Sequence, residues 1–219
     1  GYEALSFAYL QAGSNEKAVE ILLQALPKFP DEVTFPFSLA TIFYNSRDYF
    51  KAENYFHRAL TIQPDLLAAK HTLALMYEDM DDTSRSDSLF LHMMNQNEND
   101  AGGRNDYAYI LSERKNSSKE DFNYALQLAE RAVAMEPENA AFLDTIGWIY
   151  YKLETYQKAE EFIEKSLNYN EDNPVILEHL GDIYVKMNKT IEAINIYEKL
   201  LEKDSNNQLI RNKLDKIND

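Results

Sequence analysis

Apolar residues recur along this chain in stripes with helical spacing, and the stripes come in pairs that repeat every 34 positions. Within a pair, apolar residues at i, i+3, i+4 and i+7 mark a first helix, and a second stripe follows after a short polar break. Residue types return in phase, as in Leu5, Leu39 and Leu73; Tyr9, Phe43 and Tyr77; Ala18 and Ala52; and Gly147 and Gly181. A period of this length predicts stacked two-helix repeats, none of which can bury its apolar face alone.

Six such repeats and a final helix account for the chain as one continuous array. They are predicted over residues 1–32, 33–66, 67–100, 101–139, 140–173 and 174–207, with a C-terminal cap helix over 208–219. The fourth repeat is five residues too long, and the polar stretch ERKNSSKEDF is expected to hold the insertion. Ser118 and Asp121 are expected to cap the helix that follows it. Gly13 and Asn188 are expected at turns, because both tolerate a left-handed backbone.

One position in every first helix carries a small residue. It is filled by Ser6, Ala40, Ala74, Ala108, Gly147 and Gly181. The matching position of the second helix is filled by Ala18, Ala52, Ser86, Ala125, Ala159 and Ala193. Small side chains let two helix axes approach to about 8–10 Å, so we assign these positions to helix packing. Leucine at Gly147 or Gly181 should therefore force the two helices apart.

Each repeat resembles a tetratricopeptide repeat (TPR). That 34-residue pattern has a Leu-Gly pair, an aromatic three residues later, small residues in the second helix and a closing proline. The resemblance covers the whole chain, and the stretch GWIYYKL is similar to first helices of bacterial TPR proteins, many of them secreted or envelope-associated. It implies an all-α fold, a right-handed TPR superhelix or α-solenoid, whose first helices line a concave groove.

Composition narrows the possible functions. With 37 acidic and 22 basic residues the formal charge is -15, which repels phosphate backbones, so no nucleic-acid partner is expected. No apolar run approaches the roughly 20 residues of a membrane span, so no direct membrane insertion is expected. Cysteine is absent, and no catalytic or cofactor motif is present. We therefore expect no enzyme, no cofactor and no metal site. We expect ordinary surface or rim positions for the four histidines, His57, His71, His92 and His179.

Carrying the family's groove positions onto this sequence predicts a peptide-binding surface of aromatic and acidic residues. Its members are Trp148, Tyr151, Asp144, Tyr109, Asp106, Asn105, Phe37, Tyr44, Glu178 and Asp182. Aromatic anchors among carboxylates favour a ligand that carries lysine or arginine beside an apolar residue. Trp148 is expected to be exposed in the groove, because a helix turns 100° per residue and Trp148 cannot share the packing face of Gly147 and Tyr150.

Two known uses of the family do not fit these residues. TPR co-chaperones hold acidic chaperone tails with lysine, arginine and asparagine, whereas the groove positions here are acidic or apolar. The O-GlcNAc glycosyltransferases carry an asparagine ladder along one groove position. In this chain that position reads Ala4, Ser38, Thr72, Asp106, Thr145 and His179, so the ladder is absent.

The resemblance and the composition together predict a non-catalytic protein-interaction scaffold that binds a peptide or partner helix in its groove. Two alternatives stay open: a substrate-docking arm of a larger enzyme or of a secretion or assembly machine, and a self-assembling scaffold. The chain begins inside a repeat, so a fragment of a longer protein is expected. Tyr2, Leu5 and Tyr9 could then pair with another copy, giving a homo-oligomer through the N-terminal repeat. A soluble protein of the bacterial cytoplasm, periplasm or envelope is compatible with these observations.

Overall fold

The computed structural model describes residues 1–218, and over that range it contains thirteen α-helices and no β-strand. The chain forms two compact bodies, Gly1–Asn97 and a second one that begins at Glu98. The N-terminal body contains α1 (Tyr2–Gln11), α2 (Asn15–Ala25), α3 (Thr34–Asn45), α4 (Tyr49–Ile62), α5 (Leu67–Asp79) and α6 (Thr83–Gln96). The prediction of an all-α fold of helix pairs is confirmed.

The C-terminal body contains the remaining seven helices. These are α7 (Ala101–Glu113), α8 (Lys119–Met135), α9 (Ala140–Lys152), α10 (Tyr156–Tyr169), α11 (Pro174–Lys186), α12 (Thr190–Lys203) and α13 (Gln208–Asn218). Odd-numbered helices up to α11 are the first helices of their pairs, and even-numbered helices are the second. The helix predicted over 208–219 is thus present as α13, while Asp219 lies outside the described residues.

The turn between the two helices of a pair has the same left-handed residue in five of the six pairs. Positive φ angles of 57° to 70° occur at Gly13, Arg47, Asp81, Glu154 and Asn188. In each case the next backbone N–H returns to the carbonyl of an aromatic residue at the end of the first helix, as from Ser14 to Tyr9 and from Lys189 to Tyr184. This is the Schellman arrangement that ends a helix. The predictions for Gly13 and Asn188 are confirmed.

The long fourth pair places its insertion between α7 and α8, as predicted. Ser118 and Asp121 form a reciprocal capping box: Ser118 Oγ accepts from the Asp121 N–H at 3.2 Å, and Asp121 Oδ2 accepts from the Ser118 N–H at 2.8 Å. Helix α8 has 17 residues, against 14 in α10 and α12. The extra residues therefore lengthen both the loop and the first turn of α8.

The small residues lie where the two helices of a pair meet. A methyl group built on Gly147 would be 2.8 Å from the Ile163 side chain and 3.2 Å from its backbone nitrogen. At Gly181 the same methyl group would be 2.5 Å from the Tyr197 ring, which is itself buried. Contacts this short leave no room for a side chain, so the assignment of these glycines to helix packing is confirmed.

We expect Gly181→Ala to lower the free energy of unfolding by about 1–2 kcal/mol, because overpacking against Tyr197 exceeds the gain in helix propensity. Gly102→Ala is the matched control, since its new methyl group would only meet Asp100 Oδ1 at 3.8 Å. The control should be as stable as the wild type or slightly more so. Urea denaturation followed by circular dichroism measures both. Equal stability of Gly181→Ala and wild type would contradict the tight contact.

Two buried serines offer a second comparison within the fold. Ser86 on α6 and Ser166 on α10 are both 0% exposed. Ser166 Oγ donates to the Ala140 carbonyl at 2.6 Å, whereas Ser86 Oγ has no hydrogen-bond partner among the described residues. Ser86 stands at the second-helix position that alanine fills in the other repeats, so its hydroxyl is desolvated without compensation.

We expect Ser86→Ala to raise the free energy of unfolding and Ser166→Ala to lower it, each by about 1 kcal/mol. The two substitutions remove the same atom from equally buried sites, so the difference isolates the hydrogen bond. The midpoints of thermal unfolding provide the measurement. A destabilised Ser86→Ala variant would show that the Ser86 hydroxyl is bonded in solution.

Candidate functional site

Eight of the ten predicted groove residues lie on three neighbouring first helices of the C-terminal body. Helix α7 contacts α9, and α9 contacts α11. We call the surface formed by these eight residues the C-terminal first-helix face; it comprises Asn105, Asp106 and Tyr109 on α7, Asp144, Trp148 and Tyr151 on α9, and Glu178 and Asp182 on α11. Phe37 and Tyr44 belong instead to α3 of the N-terminal body.

Trp148 points to this face, but it is not exposed. Gly147 faces Ile163, and Tyr150 stacks on Phe162, both of α10. The predicted difference in direction between Trp148 and these two residues is therefore confirmed. Only 8% of Trp148 is accessible, however, so the expectation of an exposed anchor is wrong.

The burial of Trp148 results from its neighbours on all three helices. Its ring stacks on Tyr151 at 4.6 Å and on His179 at 4.1 Å, with interplanar angles of 8° and 17°. Its Nε1 donates to Glu113 Oε1 at 2.7 Å. Lys152 Nζ contacts the same carboxylate oxygen at 2.7 Å and lies 4.9 Å from the centre of the Trp148 ring. Trp148 thus ties α7, α9 and α11 together.

His179 and Asp144 form a buried pair within the same cluster. Nδ1 of His179 lies 2.8 Å from Asp144 Oδ1, and the two residues are 7% and 8% exposed. The surface or rim position expected for this histidine is therefore wrong, whereas His57 and His92 are exposed and His71 is partly exposed. The carboxylate of Asp144 is satisfied within the protein and orients the imidazole ring that covers Trp148.

Glu178 and Asp182 already hold a cation from the last helix. Lys213 Nζ on α13 donates to Glu178 Oε1 at 2.7 Å and to the two carboxylate oxygens of Asp182 at 2.8 and 2.7 Å. Burial disfavours the charge on Lys213, but the bonds to the two carboxylates outweigh it and raise the lysine pKa. Tyr197 also donates to Asp182 Oδ1, at 2.6 Å; burial and this bond raise the Tyr197 pKa.

Lys213 is absent from the residues that the sequence predicted for this site. A signal was available, because Lys213 follows His179 by one 34-residue period. The two residues make equivalent contacts. His179 bonds to Asp144 of the preceding repeat, and Lys213 bonds to Glu178 of the preceding repeat.

Tyr109 is the most open aromatic residue of this face, with 38% of its surface exposed. Its hydroxyl has no hydrogen-bond partner in the described part of the chain. Burial of the rest of the side chain raises the pKa of this hydroxyl, and three nearby carboxylates raise it further. They belong to Glu113, Asp144 and Glu178, one from each of α7, α9 and α11. Carboxylates of three helices thus contribute to the electrostatic environment of Tyr109.

Asn105 and Asp106 lie one turn before Tyr109 on α7. Asn105 is 7% exposed, and its amide nitrogen donates to Asp106 Oδ1 at 3.2 Å. The other amide atom, Oδ1, is buried and has no partner within residues 1–218. This part of the face therefore offers an unsatisfied hydrogen-bond acceptor.

The two predicted residues of the N-terminal body have internal partners. Tyr44 donates its hydroxyl to Asp79 Oδ2 at 2.8 Å, and Phe37 packs against Phe56 with ring centres 6.2 Å apart. Phe37 is half-buried at the edge of the cluster formed by α3, α4 and α5. Both residues contribute to packing between helices of this body.

In the described part of the chain, no group of three or more histidine, aspartate or glutamate side chains is placed to hold a metal ion. No described helix combines the length and the apolar character that crossing a bilayer requires.

Trp148 is the only tryptophan, so its fluorescence reports on this cluster alone. We expect blue-shifted emission that iodide quenches poorly, because Tyr151 and His179 cover the ring. Tyr151→Ala should shift the emission to the red and increase quenching at least about twofold, since it uncovers one face of the indole. Tyr169→Ala, at an exposed position of α10, is the control and should change neither quantity. A strongly quenched wild type would contradict the stacked arrangement.

Two protein-family models match the chain. A tetratricopeptide repeat model matches residues 4–66, and a model described as anaphase-promoting complex, cyclosome, subunit 3 matches residues 118–200. Together they cover about two thirds of the sequence. No curated protein matches the chain significantly by sequence.

Several solved structures share the fold at low identity. A thermophilic TPR protein from Thermus thermophilus is 23% identical, with a TM-score of 0.70 over 85% of this chain and 98% of that chain. PilW, a type IV pilus biogenesis factor, gives a TM-score of 0.80 at 14% identity, over 97% of this chain and 96% of its own. An APC/C hetero-tetramer gives 0.79 at 14% identity, over 99% of this chain and 42% of the matched chain.

The repeated helix pairs, the Schellman turns in phase with them and the matches of the family models lead to one conclusion: the chain belongs to the tetratricopeptide repeat family.

Proposed function

We propose that this chain is a non-catalytic interaction scaffold whose C-terminal first-helix face binds a peptide or partner helix with lysine or arginine beside an apolar residue. Membership of the TPR family supports the general role, since proteins of this family bind other proteins. One of the structures with the same fold is part of a hetero-tetramer. The position of Tyr109 carries the proposal.

Tyr109 presents an accessible ring among carboxylates of three helices. An aromatic face attracts a cation within about 6 Å of the ring centre. Apolar groups of the ligand would meet the ring itself, which provides large contact area at low entropic cost. A basic side chain next to an apolar one fits both features.

The other residues of the face position groups around Tyr109 and do not provide a second exposed aromatic ring. Trp148 is buried by its stacking partners and holds Glu113 in place through Nε1, so its role is to position this carboxylate. Asn105, one turn before Tyr109, has a buried acceptor oxygen without a partner among the described residues, which a ligand N–H would reach only if the neighbouring side chains moved aside. The arrangement therefore combines one accessible aromatic anchor with carboxylates that are fixed in place.

The test uses a fluorescein-labelled heptapeptide that alternates lysine and leucine, with a second peptide that has glutamate in place of lysine. Fluorescence anisotropy should show binding of the lysine peptide and none of the glutamate peptide. Tyr109→Ala should weaken binding at least about tenfold, as expected for an aromatic anchor. Tyr169→Ala removes an exposed tyrosine from α10, outside this face, and should leave the affinity unchanged.

Equal affinity for the two peptides would contradict the charge preference. Unchanged binding by Tyr109→Ala, with wild-type helix content in circular dichroism, would exclude Tyr109 as the anchor and with it the proposed site.

A further inference from the structure

The acids of α11 show which cation they accept, because Lys213 of α13 is bound there. Its ammonium nitrogen lies 2.7, 2.8 and 2.7 Å from three carboxylate oxygens. An ammonium group has three N–H donors, and here each has one acceptor. A guanidinium group spreads its donors over a plane and prefers the two oxygens of one carboxylate. Here oxygens of two carboxylates surround a single nitrogen, and a compact ammonium group fits that arrangement better than a planar guanidinium, whose nitrogens lie apart.

A cation is needed at this place. The Glu178 and Asp182 side chains are 27% and 17% exposed, and both are within hydrogen-bond distance of the same nitrogen. Two partly buried carboxylates so close together repel each other unless a positive charge lies between them. Any group that replaces Lys213 must therefore bring its own positive charge.

Helix α13 is held by less packing than the other helices of the C-terminal body, as far as the described residues show. It packs on α12, with Ile210 buried against Leu177, Tyr197 and Leu200, while Leu209 on its other side is exposed. Among the described residues, fewer apolar contacts hold α13 than hold α11 or α12. Segments with few buried apolar contacts open at a lower cost in free energy.

We propose that Lys213 is an internal ligand of the C-terminal first-helix face, which a lysine of the partner must displace from Glu178 and Asp182. The inference rests on the proposed function and adds a second subsite to it: Tyr109 is open to a ligand, whereas the α11 acids are closed by α13. The inference also restricts the possible partners to those that have a lysine able to reach Glu178 and Asp182.

The test compares Lys213→Met with Lys216→Met, using the lysine–leucine heptapeptide and anisotropy. Both substitutions remove one positive charge from α13, but Lys216 is exposed and has no ion pair among the described residues. Lys213→Met should bind the peptide about tenfold more tightly than wild type, because the intramolecular competitor is gone. Lys216→Met should gain less than about twofold, since it changes only the general charge.

Two further variants show whether the gain comes from the acids. Adding Asp182→Asn to Lys213→Met should abolish the gain. Lys213→Arg keeps the charge on α13 but fits the three oxygens less well, so it should give an intermediate gain. The affinity of an arginine–leucine heptapeptide should increase less on Lys213→Met than the affinity of the lysine peptide does. Helix content by circular dichroism confirms that the variants are folded.

The outcomes separate this inference from the proposed function. If wild type and Lys213→Met bind the lysine peptide with the same affinity, the proposed function stands and the internal-ligand role is excluded. If Lys216→Met gains as much as Lys213→Met, the effect is one of net charge, and the inference fails. If none of the proteins binds the peptide, the proposed function fails, and the inference fails with it.

Discussion

Each repeat depends on the contact between a small residue of its first helix and the side of its second helix. At Gly147 and Gly181 even a methyl group would collide with Ile163 or Tyr197. The contact fixes the rotation of the first helix about its own axis, so it also decides where every other side chain of that helix points. In the C-terminal body the residue after the small one is in turn Tyr109, Trp148 and Asp182. These residues of the candidate site therefore occupy positions that point away from the contact between the two helices of a repeat.

A second constraint links neighbouring repeats. Hydrogen bonds between neighbouring odd-numbered helices join residues 35 positions apart, one more than the repeat length, as in Tyr44–Asp79, Asp144–His179 and Glu178–Lys213. Helices stacked with a constant offset bring together residues at the same separation in sequence each time. The polar residues of the first helices therefore stabilise the stack.

The sequence predicted the features that depend on short stretches of chain. Helical periodicity located the helix pairs, Gly13 and Asn188 marked the left-handed turns, and the spacing of Ala108 and Ala125 placed the insertion before α8. Exposure was predicted less well. Trp148 was assigned correctly to the first-helix side, but its burial depends on Tyr151 and on His179 from the next repeat. The position of a residue in the helical repeat gives the direction of its side chain. Its accessibility also depends on how close the side chains of neighbouring helices come, and the repeat pattern does not define that distance.

Because of the pairing between neighbouring odd-numbered helices, some polar groups of the face already have an internal partner and others are accessible to a ligand. Asn105, Asp144 and Glu178 occupy one position in successive repeats, and the position that bonds to it one repeat later is filled by Thr145, His179 and Lys213. Where the first position holds a carboxylate, the second holds a basic residue: His179 pairs with Asp144, and Lys213 pairs with Glu178. Each of these carboxylates therefore has an internal partner. A ligand gains little from a carboxylate that is already paired unless it displaces the partner. Tyr109, whose hydroxyl is unbonded among the described residues, is consequently the group that a ligand can reach first, and the α11 acids become available only after Lys213 has left.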